Sequence, residues 1–576
     1  MQQIFQSRRW QLISHDAFLL GIMMVLAACG LIYEYLLSHY AGRVLGVMES
    51  TIYAMIGLMI VAMGLGAWAA KWFKSPYSVF AWLEATIALI GCTATLVIAG
   101  AIALTGRLPE LISSAYNLPP DTVISGGVFE QLQVISRYLP YFAGFVLGLF
   151  IGMEIPLIAR VREDVYGQHL ENNVGTIYGA DYIGAGFGAV IWITLMLSMD
   201  ITVAAIWTAL FNVLAGFLFL WRYWKKIKFP KALAALHVGL LALLIVIADS
   251  GARWMSDFSN VLYRDRVVYQ TQTRFQNITF TQRSFGSRQQ PVIDMYLNGR
   301  LQFSSFDETI YHAMLTYPAL LASARQDNVL VIGGGDGLAV RDILKWEPES
   351  VTLIDLDEGL VELFSERFAQ SRDEESEILR EKLLELNESA FEDPRVNVIF
   401  GDAFVELDKL LEQQVYYDTI IIDLPDPSHP DLNKLYSDHF YARISKLLVG
   451  DGVLVVQSTS PFHAKNAFIS IGKTVEYAGF TNVEQYRQNV PSFGEWGWTI
   501  ATKMGQSAKQ RIQNHTRLPV ESSYINKDIL MAAFAMPNDF YRGADDVSVN
   551  ILGTGTIYQY HTQAWQKDVG VYSSGQ

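Results

Sequence analysis

The chain has 576 residues, of which 51% are hydrophobic and only 17% are charged. Soluble globular domains carry roughly 25% charged residues, so this composition excludes a purely soluble protein. The 13 Trp, 28 Tyr and 31 Phe residues supply enough apolar surface for a large core and exclude a disordered chain. A net charge of −14 argues against nucleic acid as a partner and suits a cationic substrate.

Up to about residue 250 the chain is a series of apolar stretches close to the 20 or so residues that a helix needs to cross a bilayer core. They predict membrane-spanning helices over 17–38, 51–70, 79–104, 139–159, 178–198, 201–221 and 232–248. A polar insertion over about 105–138 predicts an extramembrane loop. Residues 1–254 are therefore predicted to form a transmembrane helical domain with about seven spans, with the lipid bilayer as a partner.

Two groups of residues stand out within these apolar stretches. The glycines predict close helix packing and are Gly184, Gly186 and Gly188. The carboxylates are costly inside a membrane and are Glu34, Glu84, Glu154 and Asp181. Carboxylates facing one cavity would guide a polycation, whereas the alternative is that they hydrogen-bond between helices or lie at the membrane interfaces.

The loop charges predict an orientation. Lys and Arg are concentrated in the predicted loops on the side of the N-terminus, which places that side in the cytoplasm. An odd number of spans then places the C-terminal half on the opposite side.

The pattern changes beyond about residue 255. The stretch 262–303 alternates with period 2, is broken at Gly286 and at Asn298–Gly299, and predicts a small β-hairpin domain over 255–318. From residue 328, short aliphatic runs alternate with helical segments, which is typical of a parallel sheet covered on both faces. Residues 319–576 are predicted to form a doubly wound α/β domain of the Rossmann-like, methyltransferase type.

The predicted strand ends carry glycines and carboxylates. A strand runs into the glycine-rich turn 333–337, where Asp336 would repel a pyrophosphate and attract a positively charged ligand. Asp355 and Asp402 end later strands and are placed to accept hydrogen bonds from a ribose and an adenine. Together they predict a pocket for a nucleoside that bears a cation, such as S-adenosylmethionine or its decarboxylated form. The alternative is that Asp355 and Asp402 cap helices.

A further pair of acids follows the strand YDTIIID. Asp423 ends this strand, and Asp426 stands three residues later between two prolines. One carboxylate beside the predicted pocket can accept a proton from an incoming nucleophile, and the second can hold a cationic amine. The alternative is a turn with aspartate caps.

These residues resemble the spermidine synthases, or polyamine aminopropyltransferases, over roughly 262–502. The matching positions include Phe275–Gln276, the LNGxxQ segment at 297–302, DExxYHxM at 307–314, GGGDG at 333–337 and DxxDPxHP at 423–430. The departures from the family pattern are Asn298, Asp355, Ala403, His429 and Phe493, the last in a segment that resembles the family's lid over the amine site. The apolar N-terminal half resembles the membrane region fused to some bacterial members.

The resemblance implies roles for individual residues. Asp423 is expected to be the general base, helped by Tyr311. The residues expected to hold the nucleoside and its sulfonium are Gln276, Gly333, Gly335, Asp355, Asp402, Ala403 and Pro430. The residues expected to face the polyamine are His312, Asp336 and Asp426. No metal and no cofactor are expected, because decarboxylated S-adenosylmethionine is a co-substrate.

The expected reaction transfers an aminopropyl group to putrescine or a related polyamine, giving spermidine and 5′-methylthioadenosine. The alternatives are a methyltransferase that uses intact S-adenosylmethionine, and a polyamine transporter or sensor with a non-catalytic soluble half. The resemblance also allows a homo-oligomer. It places the chain in a bacterial inner membrane with its catalytic half in the cytoplasm, where the donor is made. A cytoplasmic catalytic half requires one span more or fewer than seven, and a re-entrant or split segment near 178–221 would supply the difference.

Overall fold

The computed structural model describes residues 2–45, 48–116, 127–167, 171–197, 199–263, 265–284, 290–368 and 374–568. The chain divides into two compact units, of which the first ends at Val267 and the second begins at Val268. The predicted break at Gly286 lies outside the described residues.

The first unit is helical. Its long helices are α1 (Gln2–Leu45), α2 (Met48–Ala69), α3 (Pro76–Ala115), α4 (Gly127–Tyr166), α5 (Asn173–Ile191), α6 (Ile201–Arg222) and α7 (Pro230–Tyr263). By length and composition, seven helices in the described part of the chain can cross a membrane, and each overlaps one of the predicted spans. The prediction of an apolar, multi-span helical half is confirmed.

Two details of the helical unit differ from expectation. The predicted loop over 105–138 is helical wherever it is described except at residue 116, because α3 runs on to Ala115 and α4 begins at Gly127. The residues that predicted a loop, Pro119, Pro120 and Gly126, lie outside the described residues. The segment expected to be split consists instead of two long apolar segments, Asn173–Met196 and Ile201–Arg222.

Two glycines on one face of α5 bring it against α1. A Cβ atom at Gly184 would lie 2.2 Å from the carbonyl oxygen of Met24, and one at Gly188 would lie 2.6 Å from that of Ala28. Nothing lies within 4 Å of the corresponding position at Gly186. Close packing is therefore confirmed for Gly184 and Gly188, and the prediction is wrong for Gly186, which lies on a different face of the helix.

A four-stranded sheet begins the second unit. Its strands are β1 (Arg266–Gln272), β2 (Asn277–Arg283), β3 (Val292–Leu297) and β4 (Arg300–Ser304), paired in that order. Asn298 and Gly299 connect β3 to β4 with φ values of 52° and 80°, which are the left-handed angles of a tight hairpin turn. The hairpin signal read from the sequence is confirmed here.

The rest of the unit alternates strands and helices. Its strands are β5 (Asn328–Gly333), β6 (Ser350–Asp355), β7 (Val396–Phe400), β8 (Tyr417–Asp423), β9 (Leu448–Gln457), β10 (Asn482–Val490) and β11 (Gly494–Thr502). Its helices are α8 (Glu308–Ala322), α9 (Leu338–Leu344), α10 (Glu358–Leu363), α11 (Glu374–Leu386), α12 (Ala403–Glu412), α13 (Asp438–Leu447), α14 (Lys465–Tyr477), α15 (Ala508–Asn514), α16 (Lys527–Ala533) and α17 (Thr556–Asp568).

These strands form one seven-stranded sheet in the order β10-β11-β9-β8-β5-β6-β7. The five strands from β9 to β7 are parallel, and β11 and β10 add antiparallel pairs at one edge. Alternate residues of β5 enter different apolar cores, Val329 and Val331 on one face and Leu330 and Ile332 on the other. Both faces are therefore buried, and the predicted doubly wound fold is confirmed.

The order in which strands are added to the sheet reverses beside β5, because β6 and β7 follow on one side of it and β8 and β9 on the other. Open parallel sheets bind ligands at the carboxyl ends of the strands at such a point.

The predicted domain limits differ from the ends of the secondary-structure elements. The limits at residues 254 and 318 fall inside α7 and α8.

We expect Gly184→Leu to destabilise the helical unit and Gly186→Leu to be tolerated, since only the first side chain would meet the backbone of α1. Overpacking of this kind costs roughly 1–3 kcal/mol. Thermal unfolding of the two purified variants in detergent measures the difference, and equal midpoints would contradict the packing described for α5.

Candidate active site

The glycine-rich turn after β5 is shaped by contact with β8. Gly333, Gly334 and Gly337 have φ values of 79°, 75° and 75°, a region that residues with a Cβ atom rarely adopt. A Cβ atom at Gly333 would lie 2.2 Å from the carbonyl oxygen of Asp423, its register partner on β8. Gly333 therefore lets the turn pass directly beside the end of β8.

Asp423 and Tyr311 form a buried pair at this point. The Tyr311 hydroxyl, carried by α8, donates a 2.7 Å hydrogen bond to Oδ1 of Asp423. Burial is the largest influence on Asp423 and, with the negative charge of Asp336, raises its pKa to about 6, although His312 and the Tyr311 hydrogen bond act in the opposite direction. Asp423 is thus a base that is ionised near neutral pH and still holds a proton well.

His312 occupies the next position of α8, and its surroundings favour the charged form. Burial disfavours its charged form, but the hydrogen bond to Glu308 and the negative charges of Asp336, Glu308 and Asp423 together raise its pKa to about 9. Its Nδ1 donates to the carboxylate of Glu308 at 3.0 Å, and Arg341 binds the same carboxylate through two nitrogens at 2.8 and 3.0 Å. Glu308 therefore anchors the imidazolium beside the acids of the site.

Asp336 is buried within the turn. Its Oδ1 accepts a 3.0 Å hydrogen bond from the backbone N–H of Leu338 at the start of α9. Burial, which outweighs the nearby positive charge of His312, raises its pKa. Asp336 both caps the turn and contributes negative charge to the same small volume as Asp423.

Asp355 and Gln276 are linked by a residue that the sequence did not single out. Oδ1 of Asp355 accepts a 2.8 Å hydrogen bond from the backbone N–H of Asp357, and burial raises the pKa of Asp355 to about 7. The Gln276 amide donates to Oδ2 of Asp357 at 2.8 Å, and Thr273 donates to the same oxygen at 2.7 Å. A Cβ atom at Gly335 would lie 2.8 Å from Oδ2 of Asp355, so this glycine allows the turn to approach that carboxylate.

Both carboxylate oxygens of Asp402 have partners within the protein. Its Oδ1 accepts a 3.0 Å hydrogen bond from the backbone N–H of Phe404 and so caps α12, which begins at the buried Ala403. Its Oδ2 forms an ion pair with Lys434. The capping alternative therefore describes Asp402. Pro430 begins the 3-10 turn Pro430–Tyr436 that carries Lys434.

Each carboxylate oxygen of Asp426 has a side-chain partner. Gln457, the last residue of β9, donates to its Oδ1 at 2.8 Å, and Nε2 of His561 lies 3.2 Å from its Oδ2. Burial acts to raise the pKa of Asp426, but the hydrogen bond and charge of His561 and the Gln457 amide lower it overall. The lowered pKa favours the ionised form of Asp426, whose side chain is 18% exposed.

His561 was missed by sequence reasoning because it lies on α17, in a terminal segment for which no chemistry was predicted. Asn550, upstream of α17, fixes this segment to the 3-10 turn by donating to the carbonyl oxygens of Asn433 and Tyr436 at 3.0 and 3.1 Å. Gln457 had a visible signal, a polar residue at the end of the aliphatic strand GVLVVQ.

The predicted lid segment lies against the start of α8. The ring of Phe493 packs edge-on against Tyr311 with centroids 6.1 Å apart, and the neighbouring Ser492 hydrogen-bonds to Asp307. His429, another departure from the family pattern, instead accepts a hydrogen bond from the backbone N–H of Asp431.

Two sets of contacts each join several of the candidate site residues at the carboxyl edge of the sheet. One joins Tyr311, His312, Asp336 and Asp423, and the other joins Gln276 and Asp355 through Asp357. Several buried carboxylates close together favour a positively charged ligand over an anionic one.

Comparison with known proteins identifies the family of the chain. Residues 308–513 match the family model of the spermine/spermidine synthase domain. The chain is 55% identical over 557 residues to a polyamine aminopropyltransferase of Shewanella oneidensis, covering 96% of each chain. It is 32% identical over 561 residues to polyamine aminopropyltransferase 1 of Streptomyces coelicolor, covering 95% of this chain and 94% of the other.

Among solved structures, a spermidine synthase from Thermotoga maritima matches 48% of this chain and 87% of its own, with a TM-score of 0.39 and 23% identity. The two full-length relatives extend over the helical half as well as the α/β half. The chain therefore belongs to the polyamine aminopropyltransferase family of enzymes, with a long apolar helical region joined to the spermine/spermidine synthase domain.

Proposed function

We propose that this enzyme transfers the aminopropyl group of decarboxylated S-adenosylmethionine to putrescine, giving spermidine and 5′-methylthioadenosine. The observation that carries the proposal is the buried Tyr311–Asp423 pair, with its 2.7 Å hydrogen bond, beside a glycine turn that contains a second carboxylate. The donor is a sulfonium and the acceptor is a diammonium ion, so both substrates bring the positive charge that these carboxylates favour.

The proposed reaction requires one acid to accept a proton and others to bind positive charge. A primary ammonium has a pKa near 10.4, so it must lose one proton before its nitrogen can attack. Asp423 takes that proton. The nitrogen then forms a bond to the aminopropyl carbon, while the carbon–sulfur bond breaks and its electron pair stays on sulfur as the neutral thioether. Asp336 and Asp426 hold the remaining positive charges of the amine, and no metal takes part in the proposed reaction.

The nucleoside of the donor is proposed to lie along the β5–β6–β7 edge. Asp355 binds the ribose, held in place by Asp357, which also orients Gln276. Gly333 and Gly335 allow the turn to approach the end of β8 and Asp355, so that its backbone borders the proposed nucleoside site. Asp402 retains acceptor capacity after capping α12 and pairing with Lys434, because each carboxylate oxygen has two lone pairs. Ala403 and Pro430 complete the adenine end.

The helical half supports a multi-pass membrane protein by its length and composition. We propose a bacterial inner membrane, with the α/β unit on the cytoplasmic side where the donor is made. The loop charges favour the opposite side, so the orientation rests on the chemistry of the donor and not on the charge pattern.

The test is a side-by-side assay of the full-length protein in detergent with decarboxylated and intact S-adenosylmethionine, each with putrescine. We expect aminopropyl transfer from the first donor and no methyl transfer from the second. We also expect Asp423→Asn to lower kcat at least about a hundredfold, because it removes the general base.

The matched control is Asp431→Asn, which alters an exposed carboxylate in the same loop and should leave kcat unchanged. Methyl transfer from the intact donor would favour the methyltransferase alternative. Binding of amine without turnover would favour the sensor or transporter alternative, and near-normal turnover by Asp423→Asn would refute the assignment of the base.

The raised pKa of Asp423 predicts an acid limb in the pH profile. Only the ionised carboxylate can accept the proton, so kcat should fall as the pH drops through about 6, by roughly tenfold per pH unit below it. Tyr311→Phe removes a hydrogen bond that favours the ionised form, so its acid limb should lie at higher pH. The exposed Tyr477→Phe is the control. An acid limb that is the same in Tyr311→Phe and wild type would contradict this role.

His561 is expected to act through Asp426. His561→Ala removes a charge-assisted hydrogen bond worth roughly 1.5–3 kcal/mol, so we expect the KM for putrescine to rise about tenfold or more with a smaller change in kcat. His561→Gln keeps a donor and should restore part of the affinity, and the exposed His515→Ala should have no effect. An unchanged KM in His561→Ala, measured at saturating donor, would exclude the positioning role.

A further inference from the structure

The interior of the helical unit contains a second group of polar side chains, apart from the residues of the proposed reaction. Five helices each contribute one member with a relative exposure of 1–2%. They are Tyr33 on α1, Glu84 on α3, Glu154 on α4, Asn212 on α6 and His237 on α7.

Their contacts bring them to one place. Asn212 donates a 2.9 Å hydrogen bond to Oε2 of Glu84. A Cβ atom at Gly216 would lie 2.9 Å from Nε2 of His237 and 3.4 Å from Cβ of Glu84, so both side chains reach the same point on α6. Glu84 also interacts electrostatically with Tyr33 and with Glu154.

Each of the five side chains has one polar atom without a hydrogen-bond partner in the described part of the chain. These atoms are Tyr33 Oη, Glu84 Oε1, Glu154 Oε2, Asn212 Oδ1 and His237 Nε2. Nδ1 of His237 lies 2.9 Å from the carbonyl oxygen of Leu233 and must therefore carry the ring hydrogen, which leaves Nε2 as an acceptor. When both carboxyl groups are ionised, four of the five atoms accept hydrogen bonds and the tyrosine hydroxyl donates; a protonated carboxyl group would instead supply an O–H donor of its own.

In the ionised state these side chains have more acceptors than donors, and a bound cation would supply the missing donors. The electrostatic partners of Glu84 and Glu154 among the described residues include no Lys or Arg, and Glu154 faces a further acid, Asp181 on α5. Buried polar atoms are normally paired, and carboxylates inside a membrane need a compensating group. A cation with several N–H donors would supply both the charge and the hydrogen bonds.

The electrostatic contacts among the acids favour an extended organic cation over a metal ion. Within the described ranges, no three His, Cys, Asp or Glu side chains lie close enough together to hold a metal. The acids instead follow one another from Glu84 to Glu154 to Asp181. Cys29 interacts electrostatically with both glutamates and is a weakly polar neighbour suited to methylene groups.

We propose that the helical unit contains a binding site for an aliphatic diamine or polyamine. One ammonium group lies against Glu84, Asn212 and His237, and the next lies against Glu154 and Asp181. The site is separate from the proposed reaction, and it does not depend on which donor or acceptor the α/β unit uses.

The experiment measures binding of radiolabelled spermidine to the full-length protein in detergent by equilibrium dialysis. The wild type is expected to bind at more than one site, and the double variant Glu84→Gln/Glu154→Gln is expected to lose one of them, with at least tenfold weaker binding there. Glu34→Gln is the matched control, because Glu34 is a buried carboxylate of α1 outside the group. Unchanged binding by the double variant would overturn the proposal.

A second measurement uses the unaltered protein, in case the double variant does not fold. An apolar carbodiimide labels buried carboxyl groups, and peptide mass spectrometry reports the rate at each residue. Spermidine should slow labelling of Glu84 and Glu154 at least tenfold and leave Glu34 unchanged, whereas equal rates with and without spermidine would overturn the proposal. Aminopropyl transfer is assayed in parallel, because loss of the helical site should leave it intact.

Discussion

Burial of carboxylates away from bulk water is the constraint on which the site depends. The close passage of the Gly333 turn over the end of β8 places Asp423 and Asp336 in one small, enclosed volume. Neither acid could stay ionised there at neutral pH without partners, since desolvation disfavours the charged form. The negative charge of the site therefore favours a cationic ligand. The hydrogen bonds around the carboxylates offset the free-energy cost of their desolvation.

The hydrogen-bond donors differ from one acid to the next, and this difference distinguishes the proposed proton acceptor from the acids that hold charge. Tyr311 gives Asp423 a single neutral donor, which leaves the carboxylate basic enough to accept a proton. Asp426 has an amide and an imidazole, and its lowered pKa suits a group that holds charge. Glu308 is neutralised by Arg341 and by His312, and its pKa falls to about 2 although burial alone would raise it. Glu308 therefore supports the site and is unsuited to proton transfer.

The helical unit also contains buried carboxylates. Its packing is tight where glycine removes the side chain, as at Gly184 and Gly188 on α5. Where polar residues face inward, Glu84 has an amide partner but no described cationic one. Both units thus bury carboxylates, although their architectures, a helical bundle and a parallel sheet, are unrelated.

Sequence patterns alone determined the two-part organisation, the apolar helices, the parallel sheet and the acids that end its strands, because these follow from local periodicity and from strand topology. They also led to the prediction of Asp423, Asp355 and the glycine turn as candidate site residues. The partners that set the charge of these acids could not be predicted in this way. Arg341 is 33 residues from Glu308, and His561 is 135 residues from Asp426. Only the tertiary structure decided those pairings, because a buried charge is stabilised by whatever the fold brings within hydrogen-bond distance, irrespective of separation along the chain.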